Sequence, residues 1–270
     1  MIIREIIAAT LCVIVLLTII YIIVRTKTEG FEQQKNTIYC IMITGKTTKR
    51  IDMARVALKN FESQTHPRKR LIIINHHPDQ RVMESTRSVT ERRVPRNTTL
   101  GRMRNLAMEM VPLDALWTTW DDDDVRAPEY LSTLYASMIK NRADVVTFTD
   151  RIEYNLNTDF VWQMTLESGF VLVLARNSYG FRYDDERNTM EDTHILDHHK
   201  KLGARLHVIK GNDPMLYIRL VHGYENTSLY ANKAKKGVRV SHNTAYKETD
   251  VDEAVAKRVR EAAKVYKFTV

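Results

Sequence analysis

A chain of 270 residues, 44% hydrophobic and 27% charged, has room for one large domain and an anchor, and this balance excludes a wholly disordered or polytopic membrane protein. Two cysteines and six prolines exclude a disulfide scaffold, a Cys-rich zinc module and a Pro-rich low-complexity chain. The net charge of +8 is concentrated at the end: residues 231–270 carry ten Lys/Arg against five Asp/Glu, so the main domain is nearly neutral and nucleic acid is not expected as a partner.

Ile6 to Val24 is a run of nineteen uncharged, mostly Ile, Val and Leu residues. At about 1.5 Å per residue it just spans a bilayer core, and no small-residue cleavage site follows it. The run predicts one uncleaved transmembrane helix, which makes the membrane a partner. Arg25, Lys27 and Lys35 outnumber Arg4, which leans residues 26–270 towards the cytoplasm, with a Golgi-type lumenal placement as the alternative. Cys12 lies in the run and Cys40 beyond it, so the two are not expected to pair.

Residues 26–36 are polar and read as a linker. Thr37–Thr44 is β-branched and apolar, a strand pattern. Ile51–Ser63 has helical spacing and stops at Thr65-His66-Pro67; Leu71–Ile74 reads as a strand buried on both faces. Leu100–Met110 predicts a helix, Ala115–Trp120 a strand, Glu129–Asn141 a helix started by Pro128, and Val145–Phe148 a strand. Later come a helix from Glu191 to Lys201, a last strand leading to His222-Gly223, and a terminal helix with Val251, Val255, Val259, Ala262 and Tyr266 on one face.

Such alternation predicts an α/β fold: a Rossmann-like, mostly parallel sheet with helices on both faces. The expected division is an anchor (1–25), the linker (26–36), the main domain (37–230) and a basic C-terminal extension (231–270). Ligands in such folds bind beyond the carboxyl ends of the strands.

Trp120 is followed there by Asp121, Asp122, Asp123 and Asp124. Such a run is usually a solvated loop or a helix cap. At the end of a central strand, however, clustered oxygen ligands suit Mg²⁺ or Mn²⁺, which would bridge them to a diphosphate.

Four segments together resemble glycosyltransferases of the GT-A fold, most like family 2. Asn60–Pro67 running into Leu71–Ile74 looks like the family's helix, Q-T-x-P turn and second strand. Leu100-Gly101 with Arg104-Asn105 looks like its G…RN element, Trp120–Pro128 like its DXD segment, and Glu191-Asp192 like its ED element. The likeness spans roughly residues 37 to 225. It implies a nucleotide-diphosphate-sugar donor, a divalent metal and inverting transfer to a hydroxyl of a glycan, lipid or protein acceptor.

Carried over by position, the resemblance implies that Asp123 ligates the metal, with Asp124 a second candidate, and that Asp121 or Asp122 contacts the ribose. Arg104 would contact the nucleotide or support the Asp run, Thr44 would border the nucleobase, and Glu191 joins the donor-binding set. Where the family has an Asp after its second strand, this chain has Asn75, which can still hydrogen-bond a base. Related enzymes place a His where His222 stands, within reach of the metal or diphosphate; otherwise it is a turn histidine.

Asp192 precedes Ile195 and Leu196 by three and four residues, which would put it on the inward face of a helix tip. A base that deprotonates the acceptor hydroxyl must be ionised, as a helix N-terminus favours. The bland reading is a pair of ordinary first-turn acids. His76-His77 is a poor metal pair, because adjacent residues of a strand face opposite ways and no second spaced pair accompanies it, and His194 and His198, four apart but without a third ligand, are better read as solvated helix histidines. Gly45-Lys46-Thr47 lacks the first glycine of a P-loop, whose place is taken by Cys40. Asn97-Thr98-Thr99 and Asn226-Thr227-Ser228 match glycosylation sequons. Two rivals remain: a metal-dependent nucleotidyl or phosphoryl transferase using the same Asp run, and a non-catalytic membrane-tethered interaction module.

Overall fold

The computed structural model describes residues 14–25, 36–171, 173–188, 192, 194–222 and 246–266. Residues 14–25 form helix α1, whose large apolar side chains from Ile14 to Val24 are all exposed. Among the described residues no helix is long and apolar enough to cross a membrane. The expected transmembrane span therefore finds no support in α1, and the earlier part of the apolar run lies outside the described residues, as does most of the linker.

The first strand, β1 (Ile38–Thr44), leads into α2 (Thr48–Glu62), β2 (Lys69–Asn75) and β3 (Val89–Arg93). Next come α3 (Leu100–Met108), β4 (Leu116–Thr119), β5 (Asp124–Arg126), α4 (Tyr130–Lys140), β6 (Val145–Phe148), β7 (Asp150–Asn155) and β8 (Phe160–Leu166). The remaining elements are β9 (Leu174–Arg176), α5 (Ile195–Lys201), β10 (Leu206–Ile209), β11 (Tyr217–Val221), β12 (Tyr246–Asp250) and α6 (Glu253–Ala263).

A seven-stranded sheet has the order β10-β6-β9-β4-β1-β2-β3. Its strands run parallel except β9, which is antiparallel to both β4 and β6. Alternate residues of β1 serve opposite faces, as the two-residue period of a strand requires. Ile38, Cys40 and Met42 pack with Ile51, Ala54 and Phe61 of α2 and with Leu131 and Leu134 of α4. Tyr39, Ile41 and Ile43 pack with Met103 and Leu106 of α3 and Ile195 and Leu196 of α5. Helices thus cover both faces, as expected. Burying one such Ile or Leu stabilises the fold by roughly 1.5–3 kcal/mol.

A second sheet, β12-β8-β7-β11-β5, was not anticipated. It is mostly antiparallel, with β7 and β11 parallel. One of its faces, with Val125, Ile152, Val161 and Ile218, is covered by α6 through Ala256, Val259 and Ala263. The terminal helix is real, but Ala262 faces solvent and Ala263 takes its place, because the helix begins at Glu253 and rotates its buried stripe accordingly. Residues 246–266, placed by sequence in an extension beyond residue 230, instead supply the edge strand and covering helix of this sheet.

Candidate functional site

The Asp run bridges the two sheets. Pairing continues past β4, with the Trp120 N–H donating to Ile41 O at 2.8 Å, and Asp124 already opens β5. Trp120 is buried edge-on against Phe61, and its indole N–H donates to Ala57 O at 3.1 Å. Beyond the run, Arg126 is buried with its guanidinium 4.3 Å from the Trp120 ring and 4.9 Å from the Tyr217 ring. Asn60 clamps the Arg126 backbone at both groups, donating to its O at 2.8 Å and accepting from its N at 3.0 Å. Gln64 does the same one step on, donating to Ala127 O at 2.8 Å and accepting from Leu131 N at 3.1 Å. The Q-T-x-P turn and its preceding Asn are thus struts under the Asp run.

All four carboxylates are engaged, two of them by one arginine. Asp121, the most exposed, accepts from Arg104 Nη2 at 3.3 Å. Asp122, fully buried, accepts from Arg50 Nη2. Asp123 Oδ2 accepts from Arg50 Nη1 at 2.9 Å and lies 3.1 Å from His222 Nε2. Asp124 turns inward to the Tyr217 hydroxyl and to the Leu220 N–H at 3.1 Å, and the Tyr266 hydroxyl donates to its carbonyl at 3.1 Å. Arg50 owes its place to Thr47, whose hydroxyl caps α2 by accepting from the Arg50 N–H at 3.4 Å, so the guanidinium leaves the first helical turn beside the end of β1.

These environments separate the carboxyls. Burial raises Asp122 above the usual carboxylate range against the pull of Arg50. Burial also opposes ionisation of Asp123, but Arg50 and His222 outweigh it and hold that carboxyl well below the usual range. Asp124 is raised by burial and by the neighbouring Asp123 and Asp121 charges. Arg50 and His222 thus favour the ionised form of Asp123.

At the carboxyl ends of β1 and β2, Thr44 is buried and donates from Oγ1 to Arg50 O at 3.1 Å. Asn75 is buried and wholly engaged by its own loop: its amide donates to Gln80 O at 2.9 Å and Glu91 Oε1 at 2.8 Å, and its oxygen accepts from His77 N at 2.7 Å. His77 Nδ1 in turn accepts from the N–H groups of Asp79 and Gln80 at 3.1 and 2.9 Å. Gly45, at φ +119°, lies against the next loop so closely that a Cβ would stand 2.5 Å from His76 Cδ2.

Arg104 and Asn105 divide the work of the G…RN element. Arg104 faces Asp121, while Asn105 donates to Tyr183 O at 2.9 Å and Asp185 Oδ1 at 2.7 Å and accepts from Tyr183 N at 2.9 Å. Gly101 lies flat against the same segment: a Cβ there would stand 1.8 Å from Asp184 O. This segment leads to Asp192, a half-buried turn residue whose carbonyl accepts from the Ile195 N–H at 3.1 Å. Glu191 lies outside the described residues. The helix expected from residue 191 ends at Lys201 as read but begins only at Ile195, so Asp192 does not sit in its first turn and the helix-terminus argument for its ionisation falls away. His198 Nε2 is 2.9 Å from Tyr179 O, which ties α5 to the preceding segment, and His199 Nδ1 is 2.8 Å from Ile195 O within the helix.

The structure thus brings together Arg104, Asp121, Asp122, Asp123 and His222, with Thr44 joined to them through Arg50. Asn75 and Asp124 are committed to other partners. Arg50 went unnoticed in the sequence; its signal was a position three residues after a capping Thr in the loop that leaves the first strand. Tyr217 and Arg126 carried no such signal. Among the described residues no group of three His, Cys, Asp or Glu side chains is placed to hold a metal ion. Asp123 and His222 do converge as an oxygen–nitrogen pair, which fits a cation that takes its other ligands from a bound phosphate and water.

A family model described as Glycosyl transferase family 2 matches residues 46–210. Comparison with curated proteins gives no match. Among solved structures, S. aureus TarS 1–349 in complex with UDP-GlcNAc is 15% identical with a TM-score of 0.53, over 86% of this chain and 73% of that one. S. aureus TarS 1–349 alone is 14% identical with a TM-score of 0.51, over 68% of this chain and 60% of that one, so the present chain spans about three fifths of its length. At these identities the likeness is one of fold.

Proposed function

Because the chain belongs to glycosyl transferase family 2, we propose that it moves a sugar from a nucleotide-diphosphate sugar to an acceptor hydroxyl, with inversion and from a membrane surface. The observation that carries this reading is the meeting of Asp122, Asp123, Arg50 and His222 at the carboxyl end of β4, where the fold offers its ligand crevice. The shared fold with a protein crystallised with UDP-GlcNAc makes UDP-sugars the first donors to test.

In this reading Asp121, with Arg104 behind it, meets the ribose, Asp122 supports the same subsite, and Thr44 borders the base. Asp123 and His222 would hold a divalent cation together with the donor diphosphate. Such an ion supplies charge stabilisation to the departing diphosphate. Arg50 already delivers positive charge to the same two carboxylates and can turn it to a phosphate, since a guanidinium fork matches either group. Asp192 would take the proton of the acceptor hydroxyl, and Glu191 would contribute to the donor side.

Membrane attachment rests on α1, whose large apolar side chains from Ile14 to Val24 are exposed. The deciding assay offers the full chain a panel of UDP-, GDP- and dTDP-sugars with Mn²⁺ and identifies the nucleotide released. Release of a nucleoside diphosphate, lost in Asp123→Ala, supports sugar transfer. Release of a monophosphate or pyrophosphate would move the assignment to nucleotidyl transfer, and no release or binding in a folded sample would favour the interaction module.

A further inference from the structure

The loop that follows β2 is built around itself. Asn75, His77 and Glu91 tie it together, Glu91 Oε2 accepting from the N–H groups of Val82 and Met83 at 3.1 Å each. Two buried polar atoms of the loop, His76 Nδ1 and Gln80 Oε1, take no part in these bonds. His76 is only 6% exposed, and its Nδ1 has no hydrogen-bond partner among the described residues. Its backbone N–H donates to Thr44 O at 3.1 Å, which places it beside the end of β1, and its ring rests on Gly45. A buried ring nitrogen left without a partner is destabilising, and such a group calls for an account of what fills it.

The surroundings narrow the ligand. Burial first, then Lys46, Arg50 and Arg96, lower the His76 pKa to about 4, so the ring is neutral and one of its nitrogens is an acceptor. The cations leave a site suited to an anionic ligand that carries a neutral heterocycle. Asn75, the residue that would read the base by position, already gives both of its amide N–H bonds and accepts one from His77 N.

We propose that His76 is the specificity-determining residue for the donor's nucleobase, its Nδ1 accepting the ring N–H of a uracil-type imide. The inference rests on the nucleotide-sugar reading of the site. Uracil and thymine present an N–H at ring position 3; cytosine presents a bare acceptor there, which would face Nδ1 acceptor to acceptor.

The test uses the full chain in detergent micelles and compares UDP with CDP, which differ in the base edge alone. Calorimetric titration of the unaltered protein should show UDP preferred. His76→Ala should weaken UDP binding about tenfold and leave CDP binding unchanged, as the loss of one hydrogen bond predicts. His76→Asn, which keeps an acceptor near the Nδ1 position, should restore most of the preference. Equal weakening of both nucleotides, or no change in either, overturns the proposal while leaving the glycosyltransferase reading intact. Failure of the unaltered protein to bind any nucleotide or turn over any nucleotide sugar removes that reading, and this proposal with it. A measurement without substitution guards against misfolded variants: in ring ¹⁵N spectra of the unaltered protein, the His76 Nδ1 resonance should move with UDP and stay with CDP. A resonance indifferent to UDP overturns the assignment.

Discussion

Arg50 is the counter-ion of two buried carboxylates at once, so its loss strands both. Breaking a buried pair from one side typically costs about 3–5 kcal/mol, because the remaining charge stays in a low-dielectric place. Arg50 retains a little solvent contact, so the lower end applies: Arg50→Ala should lower stability by about 3 kcal/mol, measured as a shift of the urea midpoint at unchanged slope. Asp123→Ala is expected to act on chemistry instead. Removing the group that anchors the charge of the site should reduce turnover by about 10²–10³-fold in a steady-state transfer assay, with the fold retained by circular dichroism. The Asp run was legible because four consecutive acids after a buried strand are hard to explain otherwise. Which of them points where was not: successive residues face different ways, and Asp124 is drawn inward by the distant Tyr217 and Leu220. Asn75 misled for the same reason, its amide being used by Glu91 sixteen positions away.

Helix α2 carries Arg50 at its start and Asn60 near its end, and both grip the segment around the Asp run. Asn60→Ala should therefore cost about 1–3 kcal/mol, since it leaves both backbone groups of buried Arg126 without their partner; thermal unfolding would read it directly. On the far side of the first sheet, Asp144 ties β6 to β10 by accepting from Arg205 N and Nε, each at 3.0 Å, and from Nη2 at 3.2 Å. The Arg205 hydrogen bonds hold the Asp144 carboxyl below its ordinary value. A depressed carboxyl contributes stability above the unfolded value of about 4 and loses it as pH falls through the folded one. Asp144→Asn should thus flatten the acid limb of the stability–pH curve below about pH 4 and leave its slope near neutrality unchanged. Most elements of the first sheet could be read from the chain because strands buried on both faces are continuous apolar runs. The second sheet escaped notice. Its strands β7 (DRIEYN) and β8 (FVWQMTL) mix buried polar and apolar residues, β5 is a three-residue strand opening inside the acidic run, and β12 (YKETD) is polar after its first residue.

At the scale of the whole molecule, the positive charge gathers towards the C-terminus while the exposed apolar helix α1 lies at the other end. If α1 belongs to a membrane anchor, the full chain should float with phospholipid vesicles in a density gradient, and a chain starting at residue 26 should stay below; equal flotation of both would place attachment elsewhere. The two sheets, by contrast, have no such separation. The chain leaves β6 at Phe148 and enters β7 at Asp150 with Thr149 alone between them, and Tyr130, Phe148 and Tyr217 meet across the seam in edge-on and tilted contacts with ring centroids 6.0–6.1 Å apart. Trp162, Met164 and Val221 of the second sheet share one buried cluster with Ile38, Met42 and Val146 of the first. Recombination between relatives has no crossover point there. An exchange of the second sheet as a cassette would cut through shared packing, so the two sheets must vary together, by compensating substitutions within one core.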